Sequence, residues 1–276
     1  MTRLRRVALT ITLIVVALYI AVLAGLYFRQ RDLIYPGAGG RPGLVASEVG
    51  FDEVMLTAED GLKLRALYRA PRPGMPTLLM FHGNGEAVFE SVAALRPLIP
   101  DGYGMLLSEY RGFGGNPGQP SEQGLYRDAR AAWGWLRGKG VAAHDIVIIG
   151  YSLGTGVAAQ LAFEHAPRAL ILVAGYTDIP HVTRQHYPWI PAGLLVTERF
   201  RTIDKLPRIA CPVLLLHGRN DDTIPADNSV ALARARPDAK LELVAGTGHG
   251  IIYREDTMRR IDAWLKLVRP ASAPSR

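Results

Sequence analysis

The run Asp145-Ile146-Val147-Ile148-Ile149 leads directly into Gly150-Tyr151-Ser152-Leu153-Gly154, and no other junction constrains the fold as strongly. A short apolar run rich in β-branched residues reads as a strand buried on both faces. The residues that follow, Gly156-Val157-Ala158-Ala159-Gln160-Leu161-Ala162, read as a helix of small residues. Ser152 is pinched between the two, with a glycine two places to either side. Side chains at 150 and 154 would collide with the neighbouring helix and strand. The glycines allow a turn that holds the Ser152 hydroxyl at the strand's carboxyl end, as a nucleophile requires.

The rest of the chain supplies a sheet for this turn. Glu48–Thr57 and Leu62–Arg69 flank Glu59-Asp60-Gly61 and read as a hairpin. Apolar runs then alternate with helical stretches: Thr77–Phe81, Met105–Glu109, Ile146–Ile149, Ala169–Ala174, Val213–Leu216 and Leu241–Val244. Helices are expected near Glu86–Leu98, Ser121–Leu136, Leu153–Glu164, Ala226–Ala235 and Tyr253–Val268. The pattern predicts an α/β fold: an eight-stranded, mostly parallel sheet with flanking helices. Ligands collect at the carboxyl ends of such strands.

Three loops at those ends carry candidate chemistry. His82-Gly83-Asn84-Gly85 follows the third strand, where backbone N–H groups of a glycine-rich loop can face an anion. The Asn84 amide is the expected first oxyanion-hole donor, and the Leu153 amide the second. His82 is expected to brace that loop. Asp221 and Asp222 follow the seventh strand, and Asp221 is the expected partner of a catalytic histidine. The other acid is left to helix capping or solvent. His249, in Gly246-Thr247-Gly248-His249-Gly250 after the eighth strand, is the expected base.

An insert from Tyr176 to Arg208 separates the sixth and seventh strands. It carries Tyr187-Pro188-Trp189-Ile190-Pro191 and Leu194-Leu195. Tyr187 and Trp189 are candidate substrate contacts in a small cap; the alternative is that these residues simply cover the core. Tyr110 and Arg111 are expected to brace the sheet edge.

Ahead of the domain, Val7 to Phe28 contains no charged residue, the length of a membrane-crossing helix. Arg3, Arg5 and Arg6 precede it and Arg29 and Arg31 follow, which favours a cytoplasmic N-terminus and an extracytoplasmic catalytic domain. A cleaved signal peptide is the competing reading, with Val22-Leu23-Ala24 offering small residues. The bulky residues near the end of the run favour an uncleaved anchor. The expected division is an anchor over 1–28, a linker over 29–46, a domain over 47–268 and a disordered tail over 269–276.

The net charge of +7 falls to +4 once the three N-terminal arginines are set aside, and no basic block stands out. A solvated mixed-charge surface is expected, not nucleic-acid binding. The lone cysteine, Cys211, sits among apolar neighbours and reads as inert. No metal-ligand or phosphate-loop spacing occurs, so no metal or cofactor is expected.

The order Ser152, Asp221, His249, with the motifs above, resembles the α/β-hydrolase superfamily from about Ser47 to Val268. Within it the chain is similar to membrane-anchored serine hydrolases in Arg31-Asp-Leu-Ile-Tyr-Pro36, Phe81-His-Gly-Asn-Gly85, Glu109-Tyr-Arg-Gly-Phe-Gly114 and Pro120-Ser-Glu-Gln-Gly-Leu125. Gly85-Glu86 departs from the glycine–asparagine pair common in those relatives. The resemblance implies an esterase, thioesterase, lipase or peptidase working through an acyl-enzyme. The partners it implies are an acyl ester or thioester and a membrane. A peptidase or amidase, and a non-catalytic binding scaffold, are the alternatives.

Overall fold

The computed structural model describes residues 2–40 and 50–268. Strands β1 (Asp52–Thr57), β2 (Lys63–Arg69), β3 (Thr77–Phe81), β4 (Gly104–Ser108), β5 (Ile146–Tyr151), β6 (Ala169–Val173), β7 (Val213–Gly218) and β8 (Lys240–Val244) form one sheet. Their order is β1-β2-β4-β3-β5-β6-β7-β8. The sheet is mixed. β2 pairs antiparallel with both β1 and β4, and every pair from β4 to β8 is parallel.

Alternation along the parallel strands fills two cores. Leu79, Phe81, Ile148 and Leu215 point to one face, where α3 (Glu122–Gly138), α4 (Leu153–Glu164) and α8 (Asp227–Ala235) cover them. Leu78, Met80, Val147, Ile149 and Leu214 point to the other, against α2 (Val88–Leu95) and α9 (Glu255–Leu267). Burial on both faces explains why these strands read as continuous apolar runs. The chain moves from β3 outward to β4, then crosses back to β5 on the other side of β3. Reversal of strand order opens a crevice at the carboxyl ends of β3 and β5. The Asn84 loop and Ser152 both lie there.

Helix α1 (Arg3–Ile34) does not stop at residue 28, as the expected anchor does. It runs on to Ile34, and the segment behind it is docked where a linker was expected. Tyr35 is buried, Gly37 N–H donates to the Asn84 carbonyl (2.9 Å) and Gly39 N–H to the Gly112 carbonyl (2.7 Å). Charge at 29–32 ends an apolar run but does not end a helix: Arg29 and Asp32 pair along it at 2.6 Å. The remainder of the expected linker, the first residues of the expected domain and the expected tail lie outside the described residues.

The insert folds as α5 (Ile179–His186), α6 (Ala192–Leu195) and α7 (Thr202–Lys205). Asp178 caps α5 by accepting from His181 N–H at 2.7 Å. Ile190, Ala192 and Val196 pack with Leu23, Leu26 and Ile34 of α1.

Candidate active site

Ser152 sits at φ 51°, ψ −119°, a conformation an L-residue adopts only where the surroundings impose it. The surroundings do so through close packing. A Cβ on Gly154 would strike the Phe81 carbonyl of β3, and one on Gly150 would strike the Gly154 carbonyl. Ser152 N–H donates to the Val173 carbonyl of β6 at 3.0 Å. The serine is therefore clamped between β3, β6 and the first turn of α4. The Tyr176 hydroxyl donates to the Leu153 carbonyl (3.1 Å), fastening that turn from the insert side.

Asp221 and His249 come from the loops after β7 and β8, which are stitched together. Asn220 N–H donates to the Thr247 carbonyl at 2.9 Å, and Gly218 lies so close to Thr247 and Gly248 that a side chain there would collide with both. His249 Nδ1 stands 2.8 Å from Asp221 Oδ2, and its Nε2 stands 3.0 Å from Ser152 Oγ. A proton on Nδ1, donated to the carboxylate, leaves Nε2 free to accept from the hydroxyl. Among the described residues Asp222 makes no hydrogen bond to His249; its Oδ1 accepts from Thr223 Oγ1 at 3.5 Å.

Asp221 has more support than the sequence reading assigned. Its Oδ1 accepts from Thr223 N–H (2.9 Å) and Ile224 N–H (2.8 Å), and His217 Nε2 lies 3.3 Å from Oδ2. Burial alone would push this carboxyl up. Hydrogen bonds from His217, His249 and the Ile224 N–H outweigh burial and hold it well below the usual carboxylate range. His217 is oriented in turn by Ser229 Oγ (2.6 Å) and the Ile224 carbonyl (2.8 Å). The sequence signal for it was present but unused: His217 stands four residues before Asp221, at the end of the same strand.

The Asn84 loop is fixed at several points. Its side-chain Nδ2 donates to the Ile34 carbonyl at 3.0 Å, and Glu86 accepts from Gly83 N–H at 3.0 Å and from the Tyr253 hydroxyl. Thus Glu86, the departure from the relatives' pattern, fastens the loop. Beneath it His82 is fully buried, 2.8 Å from Glu109 Oε1 and 2.7 Å from the Gly83 carbonyl. Burial opposes charge on that imidazole, but Glu109 prevails and its pKa is raised. Among the described residues, the N–H groups of Asn84 and Leu153 meet no protein acceptor. The Leu153 amide also opens α4, where the helix dipole favours negative charge.

A cavity of about 170 Å³ touches Ser152, Leu153 and Asn84. Its apolar walls are Leu33 and Ile34 from α1, Ile179 and Val182 from α5, with Tyr176 and Ile224. Tyr187 and Trp189, the expected substrate contacts, do not line it. Both are about half exposed, and Trp189 packs instead beside Tyr19 of α1, ring centroids 6.5 Å apart. The insert does contribute to the cavity, but through α5. Sequence reasoning missed Leu33 and Ile34 because they fall in the segment 29–46 that it reads as a linker.

Tyr110 and Arg111 stand behind the site. The Tyr110 hydroxyl donates to the His82 carbonyl (3.1 Å), and Arg111 pairs with buried Asp128 (2.7 Å) and with Asp60 (2.6 Å). Burial pushes the Cys211 thiol up to about 12, so it stays protonated at neutral pH.

The family model for serine aminopeptidase, S33, matches residues 75–200. An uncharacterized protein of Mycobacterium tuberculosis is 36% identical over 247 residues, 88% of each chain. Lysophosphatidylserine lipase ABHD12 of Xenopus tropicalis is 30% identical over 217 residues, covering 67% of this chain and 56% of its own, so this chain spans about half of that relative. The α/β hydrolase of Vibrio vulnificus superposes with a TM-score of 0.67 at 22% identity, over 87% of this chain and 91% of that one. A Pyrococcus furiosus esterase superposes at 0.66 and 18% identity, over 83% and 97%. The chain belongs to the α/β-hydrolase superfamily, as a serine hydrolase.

Proposed function

We propose that the protein is a membrane-tethered hydrolase of carboxylic esters or thioesters, with Ser152, His249 and Asp221 as its catalytic triad. The observation that carries this reading is the continuous contact from Asp221 through His249 to Ser152, at 2.8 and 3.0 Å. Ser152 Oγ bonds to the acyl carbon while its proton passes to His249 Nε2. The carbonyl electron pair moves onto oxygen, where the Asn84 and Leu153 amides receive it. As the C–O or C–S bond breaks, His249 returns the proton to the leaving alkoxide or thiolate. Water then repeats the sequence on the acyl-enzyme, with His249 first as base and then as acid. Asp221, held ionised by its own hydrogen bonds, balances the imidazolium at each stage.

Two features favour a lipid-like substrate. The walls beside Ser152 are aliphatic, and two of them come from an apolar 32-residue helix with mean hydropathy 2.8 over an 18-residue window. A relative named as a lysophosphatidylserine lipase agrees with that chemistry. The three arginines ahead of the span favour placing the domain outside the cytoplasm. The aminopeptidase description of the family model supports a second reading, amide cleavage.

Labelling with a fluorophosphonate probe tests the nucleophile. The wild-type chain takes the label and Ser152→Ala does not; equal labelling of both overturns the assignment. Acyl esters, acyl thioesters and aminoacyl amides assayed side by side then rank the leaving groups. Faster turnover of the amides would replace the ester reading with the second one.

A further inference from the structure

The membrane helix and the insert make demands that are compatible in only one arrangement. As a helix, Val7–Phe28 is about 33 Å long against about 30 Å of hydrocarbon, so it has no length to surrender to water. Yet the insert is already packed on it at Tyr19. The Tyr19 hydroxyl donates to the Trp189 carbonyl at 2.8 Å, and Leu23 and Leu26 pack on Ile190, Ala192 and Val196. Tyr19 lies about 13 Å before Phe28 along the helix. A span crossing the bilayer must therefore carry its neighbour down with it.

The neighbour is chemically suited to that position. Tyr187-Pro-Trp-Ile-Pro-Ala-Gly-Leu-Leu-Val196 contains no charged side chain. Leu194 is 85% exposed, and Tyr187 and Trp189 are about half exposed. The backbone goes most of the way toward what hydrocarbon imposes, internal satisfaction of its polar groups; among the described residues the N–H groups of Trp189 and Gly193 meet no acceptor. Six N–H groups, those of Tyr187, Ile190, Ala192, Leu194, Leu195 and Val196, donate to local carbonyls, and the two prolines carry none. Three outward carbonyls are taken as well: Trp189 by Tyr19, Gly193 by Arg199 at 2.8 Å and Leu195 by Gln30 at 3.4 Å. Arg184 and His186 precede this stretch and Glu198 and Arg199 follow it, and the Arg184 and Arg199 guanidiniums reach back to Gly193, as long side chains snorkelling from the base do.

We infer that Tyr187–Val196 is a second membrane element, a wedge sunk in the same leaflet that α1 crosses beside it. The occupant of its exposed apolar face is lipid acyl chain. This rests on the reading of α1 as a membrane anchor. It places the cavity walls Leu33, Ile34 and Val182 just below the wedge, at the lipid surface, so that substrate reaches Ser152 from the leaflet.

Trp189 is a built-in reporter, the other tryptophans being Trp133, Trp135 and Trp264 of the catalytic domain. The full chain is reconstituted into phosphatidylcholine vesicles with or without brominated acyl chains, and tryptophan emission is compared with that of Trp189→Phe. Quenching by the brominated chains is expected in the wild type and lost in Trp189→Phe. Equal quenching in the two, with the chain retained by the vesicles after an alkaline carbonate wash, overturns the wedge while leaving the anchor intact. Release by that wash overturns anchor and wedge together. Leu194→Asp removes only an exposed side chain, so folding is not at stake. It is expected to abolish Trp189 quenching and leave hydrolysis of a water-soluble acetyl ester unchanged; undiminished quenching in this variant overturns the wedge.

Discussion

The two walls of the Ser152 cavity are held in different ways. The wall carrying Ser152, Asp221, His249 and Asn84 hangs from strand ends through backbone contacts that glycines make possible. The opposite wall, from α1 and α5, adds to a few backbone bonds a set of joints made by side chains. Tyr35 donates to Glu198 at 2.7 Å, Arg31 meets Glu198 at 3.0 Å, and Gln30 Oε1 accepts from Thr197 N–H at 2.8 Å. The first wall fixes reacting atoms to within fractions of an ångström, as proton transfer requires. The second sets the shape of an apolar volume, which tolerates replacement. Chemistry and selectivity therefore have separate mechanical supports.

Substitutions on the first wall carry the largest expected effects. Ser152→Ala lowers kcat about 10⁶-fold on a soluble ester, measured against the uncatalysed rate. Asp221→Asn leaves the fold intact and lowers kcat about 10⁴-fold by removing the group that selects the His249 tautomer. Asp222→Asn, its neighbour, leaves kcat unchanged; a comparable loss in both would remove the distinction drawn between them. Asp221 also links stability to pH. Its folded pKa lies below the unfolded value of about 3.9, so its contribution is complete above that value and is lost as pH falls through the folded pKa. The Tm deficit of Asp221→Asn, followed by calorimetry, is therefore constant above about pH 5 and shrinks in stronger acid.

On the second wall the comparison predicts lower stability and altered selectivity with the chemistry retained. Glu198→Gln weakens the acceptor for Tyr35, Arg31 and the Glu122 N–H, costing about 1–3 kcal/mol in denaturant unfolding. Turnover of a short-chain ester by the folded fraction persists. Ile34→Ala has the smallest effect. It enlarges the cavity and shifts preference toward longer acyl chains by about tenfold in relative kcat/KM. Trp189→Ala leaves that preference where it was, because its ring lies outside the cavity. A shift with Trp189→Ala and none with Ile34→Ala would exchange the roles of α1 and the insert.

What was readable from residues alone follows the same division. Gly150, Ser152 and Gly154 announce their geometry because few backbones need that spacing, and the loop ends of a parallel sheet then place Asp221 and His249 opposite. Helix α4 begins and ends where its composition indicates. Periodicity reports which residues avoid water but not what replaces it, so Trp189 reads as a candidate acyl contact and Leu33 and Ile34 read as linker. The reach of α1 to Ile34 was hidden for a related reason. Arg29 and Asp32 interrupt hydropathy while favouring helix, and the docking of Tyr35 depends on Glu198, 163 residues away.

Asn84 shows most directly how α1 and the sheet are joined. Its side chain holds the last carbonyl of α1, through Ile34, and its own carbonyl holds Gly37 just beyond. Trimming the chain anywhere past residue 34 to obtain a water-soluble enzyme thus cuts into the seat of the loop beside Ser152. Among the described residues no free stalk separates α1 from the sheet: the helix ends against the loop beside Ser152.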